Sequence, residues 1–247
     1  MTNNRGKFFI LVLIILIAIM IVWFLNYFIN HQTSEYAIEG EEITELQELN
    51  EEAVSMAQSY KIPAVRGVDD SDLYTGDLNA PIQIIIYEDY SNYYNAQFNE
   101  TLKQVQNEFK DVVGFTYRPY PVKNQGLANE SAQAVLCAQD QDRFADYRTK
   151  VYEKTLDRSL STDDLGVIAG EIGLDETAFN SCLTAGTYQS KVAGAIIEAK
   201  SFSVFGAPTS FINNELIIGA RPWEDSFDSN QEKILGLKTI IEKQLQQ

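Results

Sequence analysis

Few side chains in this sequence have the chemistry for redox or metal-dependent reactions. The chain has two cysteines, Cys137 and Cys182, which are far apart, and one histidine, His31. Two cysteines can form a disulfide bond in an oxidising compartment or remain as two separate buried thiols. A metal site built from histidine and cysteine needs more ligands than these three residues, so we predict no metal site and no cofactor.

Both cysteines occur in apolar stretches. Cys137 lies inside Ala134–Ala138, and Cys182 follows Phe179 by one helical turn and precedes Leu183. A reactive thiol is usually exposed and close to positive charge, so both cysteines are predicted to be buried. We therefore interpret the pair as a structural disulfide or as packed thiols, and thiol–disulfide exchange through this pair stays open as an alternative.

Two adjacent carboxylates, Glu88 and Asp89, are the remaining candidates for proton transfer. They come directly after the apolar run Ile82–Tyr87. Acidic residues at the end of a strand are usually solvated or accept hydrogen bonds from nearby backbone N–H groups. We interpret Glu88 and Asp89 in that way rather than as a general acid and base.

The segment that positions these carboxylates is predicted to be a buried strand followed directly by a helix. Ile82–Tyr87 is β-branched and apolar, and Ser91 or Asn92 is a suitable N-cap. Apolar residues then recur at helical spacing: Phe98, Leu102, Val105 and Phe109. A helix N-terminus presents unpaired N–H groups, and it lowers the pKa of a thiol placed there.

The stretch from Gly76 to Tyr90 resembles the entry strand of the DsbA-like thioredoxin-fold oxidoreductases. In that family the strand leads into Cys-Pro-Tyr/Phe-Cys at the start of a helix, whereas this chain has Asn92-Tyr93-Tyr94-Asn95. Asparagine cannot become a thiolate, and the chain contains no Cys-x-x-Cys motif. The resemblance therefore implies a family scaffold that has lost its usual catalytic residues, and it leaves open whether the protein is an enzyme.

Two further stretches carry the resemblance. Tyr117–Val122 is similar to the Tyr-Arg-x-Phe-Pro-Leu strand of the family, and its distance from the first strand predicts a βαβ unit with a parallel pair. Gly206–Pro222 predicts a hairpin of Thr209–Ile212 and Leu216–Ile218. The resemblance implies that Pro208 is the cis-proline of a thioredoxin fold.

The predicted fold class is α/β, a thioredoxin-like fold with an inserted helical subdomain at about residues 126–202. Helical periodicity and capping residues predict several helices across that insertion. A final amphipathic helix is predicted over Trp223–Leu245, with Phe227, Ile234 and Leu237 facing inward.

The N-terminal part predicts a membrane anchor. Residues 8–29 are almost entirely apolar and long enough to cross a bilayer, and they lack the short apolar core and small-residue cleavage site of a signal peptide. Arg5 and Lys7 before this run favour a cytoplasmic N-terminus. We predict a cytoplasmic tip and anchor at 1–29, an extracytoplasmic stalk at 30–70 with a short helix that could form a homodimer, and the thioredoxin-fold domain at 71–247.

The charge balance limits the classes of partner. The chain has 19 basic and 35 acidic residues, which gives a formal net charge of -16. Nucleic acids and anionic lipid headgroups are bound by basic patches, so neither is predicted as a partner.

The preferred hypothesis for function is a membrane-anchored module that binds an extended polypeptide or a protein partner without thiol chemistry. Strand-like pairing with a substrate uses main-chain groups, so it survives the loss of the cysteines. Tyrosine is enriched at binding surfaces, and several tyrosines flank the degenerate motif. The predicted binding residues are Tyr90, Tyr93, Tyr94, Ala207, Pro208 and Thr209. The alternatives are an oxidoreductase that uses Cys137 and Cys182, and a structural subunit of a membrane complex that interacts through its stalk.

Overall fold

The computed structural model describes residues 20–27, 64–123 and 126–246, and the chain divides into two compact units, 1–61 and 62–247. In the first unit, residues 20–27 form a helix, α1, whose side chains are exposed. The rest of the predicted span 8–29 and the predicted stalk helix lie outside the described residues. Among the described residues, no helix is both long enough and apolar enough to cross a membrane.

The second unit is built on a five-stranded sheet in the order β1-β3-β2-β4-β5. The strands are β1 (Leu73–Thr75), β2 (Ile82–Glu88), β3 (Val113–Pro119), β4 (Thr209–Ile212) and β5 (Glu215–Ile218). β2 and β3 run parallel, and the other neighbours are antiparallel. The predicted parallel pair and the predicted hairpin are both confirmed.

Strand β2 lies at the centre of the sheet because its sequence is apolar on both faces. Ile84 and Ile86 are fully buried on one face, and on the opposite face Tyr87 is fully buried and Ile85 is nearly so. A strand that alternated apolar and polar residues would leave one face for solvent. Helices must therefore cover both faces of β2.

Those helices come from one crossover and one long insertion. Helix α2 (Tyr93–Glu108) joins β2 to β3. Between β3 and β4 the chain forms five helices: α3 (Leu127–Gln139), α4 (Phe144–Leu156), α5 (Thr162–Glu171), α6 (Glu176–Thr184) and α7 (Gln189–Ser201). The strand–helix–strand unit thus places the end of β2 and the start of α2 beside the helical insertion.

The predicted C-terminal helix is wrong over its first half. Helix α8 covers only Leu237–Gln244, and a short antiparallel pair, β6 (Ser226–Phe227) with β7 (Lys233–Ile234), precedes it. The Asp225 carboxylate accepts a hydrogen bond from the Gly236 N–H at 2.9 Å and pairs with Lys233 at 2.8 Å. These bonds hold a loop where amphipathic periodicity predicts a helix, and they leave Phe227 exposed rather than inward.

The segment before β1 is fastened to the sheet by buried charges. Arg118 on β3 is almost fully buried and donates to Asp72 at 2.9 Å and to the carbonyl oxygen of Arg66 at 3.0 Å. Arg66 also pairs with Asp72 and with Glu198 on α7. Burial opposes the charge on Asp72, but the hydrogen bonds from Arg118 and Arg66 outweigh that effect and lower its pKa.

Candidate functional site

The site begins at the junction between β2 and α2, where Asn92 caps the helix. Its side-chain oxygen accepts hydrogen bonds from the backbone N–H of Tyr94 at 2.8 Å and of Asn95 at 3.3 Å. The predicted N-cap is confirmed at Asn92. Two of the N–H groups that would otherwise face a thiolate or a ligand here are therefore already satisfied.

Asn95, at the position of the second lost cysteine, faces the interior. Only 2% of its surface is exposed, and its Oδ1 accepts a hydrogen bond from the Asp89 N–H at 3.3 Å. Its Nδ2 has no hydrogen-bond partner among the described residues. The Asp89 carboxylate in turn accepts hydrogen bonds from the N–H groups of Ser91 and Val122. Asp89 therefore acts as a local cap, as predicted.

The interpretation of Glu88 as a solvated group is wrong, because the structure buries it in an ion pair. Arg148 on α4 donates from its Nε to Glu88 at 2.8 Å and also bonds Glu88 through a second nitrogen, while its third nitrogen bonds Asn99 at 2.7 Å. The guanidinium also lies over the Tyr117 ring, at 4.2 Å from its centroid. Burial alone would lower the pKa of Arg148, but the charge of Glu88 raises it well above its ordinary value.

Of the four tyrosines between residues 87 and 94, two are buried and two reach the surface. Tyr87 and Tyr90 are fully buried, and Tyr90 packs against Tyr152 with ring centroids 5.7 Å apart. Burial also raises the pKa of Tyr90. The prediction of Tyr90 as a binding residue is therefore wrong, since α4 covers its side chain.

Tyr93 and Tyr94 remain at the surface at the start of α2. The guanidinium of Arg158 lies 4.8 Å from the centre of the Tyr93 ring, which holds that ring in place. Tyr94 contacts Tyr93 edge to face and is 64% exposed. Tyr94 thus presents a large amphipathic side chain at the N-terminus of the helix.

The loop before β4 meets the same edge of the sheet. Thr209 pairs with Tyr87 at the end of β2, and the preceding Ala207–Pro208 peptide bond is cis. The backbone N–H and C=O of Ala207 form no main-chain hydrogen bond with another described residue. The side chains of Pro208 and Thr209 are buried, so this loop offers its backbone rather than its side chains.

Phe205 is a surface residue of this loop that the sequence analysis missed. It is 75% exposed although it lies only two residues before Ala207. Phenylalanine is among the residues most often buried, so the sequence alone gave no sign that Phe205 is exposed. Two exposed aromatic side chains therefore belong to the segments that meet at this edge: Tyr94 on the helix and Phe205 on the loop that carries Ala207.

The two cysteines form a disulfide bond that joins the last turn of α3 to the last turn of α6. Cys137 is buried, as predicted, but Cys182 is only partly buried because it lies in the last turn of α6. The Cys182 sulfur lies 3.7 Å from a carboxylate oxygen of Asp140. A negative neighbour disfavours a thiolate, so this environment does not activate Cys182 as a nucleophile.

Comparison with known proteins shows which family and which solved structures this chain is similar to. The family model described as thioredoxin matches residues 69–228. No curated protein sequence matches this chain. Solved structures with the same fold include BdbD from Bacillus subtilis, with 19% sequence identity, a TM-score of 0.60, and coverage of 76% of this chain and 100% of BdbD.

Two other solved structures have the same fold. The thiol-disulfide exchange protein alpha-DsbA2 from Wolbachia pipientis is 19% identical, with a TM-score of 0.59 and coverage of 72% of this chain and 88% of that chain. A periplasmic thioredoxin-like protein from Salmonella enterica serovar Typhimurium is 19% identical, with a TM-score of 0.56 and coverage of 72% and 92%. The predicted DsbA-like, thioredoxin-like α/β fold is confirmed.

Proposed function

This chain belongs to the thioredoxin family, and we propose that it binds extended polypeptides at the outer face of a membrane without carrying out thiol chemistry. The observation that carries this proposal is the unpaired Ala207 backbone beside the cis bond, at the sheet edge where α2 begins. An extended peptide can satisfy such groups by strand-like pairing.

The aromatic residues around that backbone support the proposal. Tyr94 and Phe205 are both exposed, and both lie at the end of the sheet where β2 stops and β4 starts. Tyrosine supplies rigid contact area at little cost in conformational entropy, and it is common among residues that dominate binding energies. Main-chain pairing gives little sequence specificity, so the aromatic side chains would supply much of the affinity.

The residues at the former catalytic positions argue against thiol exchange at this edge. Asn92 is used as a helix cap, and Asn95 is buried and bonded to the Asp89 N–H. The two buried carboxylates beside these positions are also engaged, Glu88 by Arg148 and Asp89 by the N–H groups of Ser91 and Val122. We therefore assign the surface to binding alone.

The membrane location rests on sequence. The apolar run 8–29, with Arg5 and Lys7 before it, supports a single-pass anchor with the N-terminus in the cytoplasm. The Cys137–Cys182 bond supports an oxidising, extracytoplasmic site for the domain. In this proposal residues 30–70 hold the binding surface away from the membrane, and the short helix that the sequence predicts within them would allow a homodimer.

The binding proposal is tested by titrating the full chain, in nonionic detergent, into a fluorescently labelled, cysteine-free unfolded polypeptide and measuring anisotropy. We expect saturable binding that the double variant Tyr94→Ser/Phe205→Ser weakens by roughly tenfold or more, as for the loss of a dominant aromatic contact. The control is Tyr74→Ser, which removes an exposed tyrosine from β1 at the far edge of the sheet. Equal loss in the control and the double variant would contradict the proposal.

A further inference from the structure

An open cavity lies beside the exposed face of α2, on the side where the loop after β5 passes. Its volume is about 380 Å³, and its walls include Gln97 and Thr101 from α2 and Arg221 and Ser226 from the loop. Phe98 forms an apolar part of the wall. The cavity therefore combines one cation with several neutral hydrogen-bonding side chains.

Arg221 in this cavity forms an ion pair with none of the carboxylates that the structure describes. Its Nε is shielded from solvent and has no hydrogen-bond acceptor among the described residues. The neighbouring Asp225 is already engaged by Lys233 and by the Gly236 N–H. The chain has 35 acidic residues, yet none of the described carboxylates pairs with this guanidinium. Its N–H groups can therefore donate to an acceptor from another molecule.

The loop that carries Arg221 is held firmly. The carbonyl oxygens of Pro222 and Trp223 accept hydrogen bonds from Leu237 and Lys238 at the start of α8, at 2.9 and 3.2 Å. Gly236 allows this approach, since a Cβ atom there would lie 2.5 Å from the Trp223 carbonyl oxygen. The guanidinium is thus attached to a fixed backbone before any ligand arrives, which lowers the entropy cost of binding.

The cavity lies further along the helix that carries Tyr94. Tyr94, Gln97 and Thr101 follow one another at helical spacing on the same face of α2, so Tyr94 and Thr101 are ~10 Å apart along the helix. On the other wall, the Gly219 N–H donates to the Pro208 carbonyl oxygen at 2.9 Å, two residues before Arg221. An extended chain covers that length with about three residues.

We infer that the Arg221 cavity binds a carboxylate of the bound polypeptide, an aspartate or glutamate side chain or the C-terminus, about three residues from the segment at Tyr94. The planar guanidinium can bind both oxygens of a carboxylate at once. The net charge of -16 repels acidic polypeptides at long range, so selectivity here depends on this local contact. This inference rests on the proposed function, since it assigns a sequence preference to the same surface.

The test compares two labelled extended peptides that carry a leucine and, three residues away, either glutamate or glutamine. We expect the full chain to bind the glutamate peptide about fivefold more tightly, the upper range for a partly exposed ion pair. Arg221→Gln should remove this difference and leave the affinity for the glutamine peptide unchanged. The matched control is Lys110→Gln, which removes an exposed charge near the far end of α2 and should keep the difference.

The opposite results are equally definite. No preference for glutamate, a preference that survives Arg221→Gln, or equal weakening of both peptides would overturn the inference. If neither peptide binds, the proposed function fails, and the cavity is then judged alone by titrating N-acetyl-glutamate N-methylamide and its glutamine analogue. If the Arg221 Nε–H NMR resonance shifts with the glutamate compound and not with the glutamine analogue, the inference of a carboxylate site stands. If it does not shift, the inference is overturned.

Discussion

At the scale of single residues, the surroundings of Glu88 show how a carboxylate beside the Asn92–Asn95 segment is used for structure. Its carboxylate is buried and accepts hydrogen bonds from Arg148 on both oxygens. The next residue, Asp89, accepts a hydrogen bond from the Ser91 N–H. Both oxygens of the Glu88 carboxylate are engaged by the guanidinium in charge-assisted hydrogen bonds, so neither is free to bond a neighbouring group. Its remaining task is structural, since it neutralises a cation that the helical insertion places against the sheet.

Removing the charge of Glu88 should therefore destabilise the domain strongly. We expect Glu88→Gln to lower the free energy of unfolding by about 3–5 kcal/mol, because it leaves the Arg148 guanidinium buried without its counter-charge. Glu88→Gln/Arg148→Met should lose less, since it removes both charges. Urea unfolding monitored by circular dichroism measures both values.

The exposed pair Lys150–Glu153 provides the control for this prediction. Glu153→Gln should cost less than about 1 kcal/mol, the usual value of a surface ion pair. A cost for Glu88→Gln no larger than that of Glu153→Gln would show that the buried pair contributes little.

The role of Glu88 could not be read from the sequence. Its partner Arg148 lies 60 residues away, on a helix whose position depends on the packing of the whole insertion. The local pattern shows only two adjacent acids after a strand. For Asp89 the local interpretation is correct, since its partners are Ser91, two residues away, and Val122, just after β3. The same limit explains Tyr90, which α4 covers from a distant part of the chain.

At the scale of elements, the segments with strong local signals are the ones that the sequence predicts well. The apolar run of β2, the Asn92 cap and the β4–β5 hairpin all appear where periodicity and capping residues place them. The failed prediction is the first half of the C-terminal helix. Its periodicity is helical, but Gly236 must approach Trp223 too closely for any other residue, and Asp225 bonds to the Gly236 N–H.

The disulfide belongs to this scale because it joins two helices, α3 and α6. Closing a loop of 45 residues predicts a stabilisation of about 3–4 kcal/mol on the chain-entropy model. We expect Cys137→Ala/Cys182→Ala to lose about this much unfolding free energy while the affinity for a cysteine-free polypeptide stays the same. Chemical denaturation and the anisotropy titration give the two values.

Alkylation of the wild-type chain across a glutathione redox series separates this structural role from an enzymatic one. We expect the bond to stay closed over the series, because Cys137 is buried and Asp140 disfavours a thiolate on Cys182. Titration of the pair with formation of mixed disulfides would instead support an oxidoreductase with a relocated active site.

At the scale of the whole molecule, the chain is a thioredoxin-family domain with asparagines at the two positions, 92 and 95, where the family that it resembles has cysteines. The family and the fold were predictable because the motifs that carry them are local stretches of β2, β3 and the β4–β5 hairpin. The surface residues could not be predicted from the sequence, because the exposure of Phe205 and the lack of a described partner for the Arg221 Nε depend on how distant segments pack.

Site-specific photo-crosslinking tests the central claim most directly. Benzoylphenylalanine is placed at position 94, 205 or 74 of the full chain, and each variant is irradiated with a labelled, cysteine-free unfolded polypeptide. We expect high crosslinking yields from positions 94 and 205 and a low yield from position 74. Of the three positions, only 94 and 205 lie at the end of the sheet where the Ala207 backbone is unpaired. Equal yields at all three positions, or adducts from position 74 alone, would contradict the claim that this edge binds polypeptides.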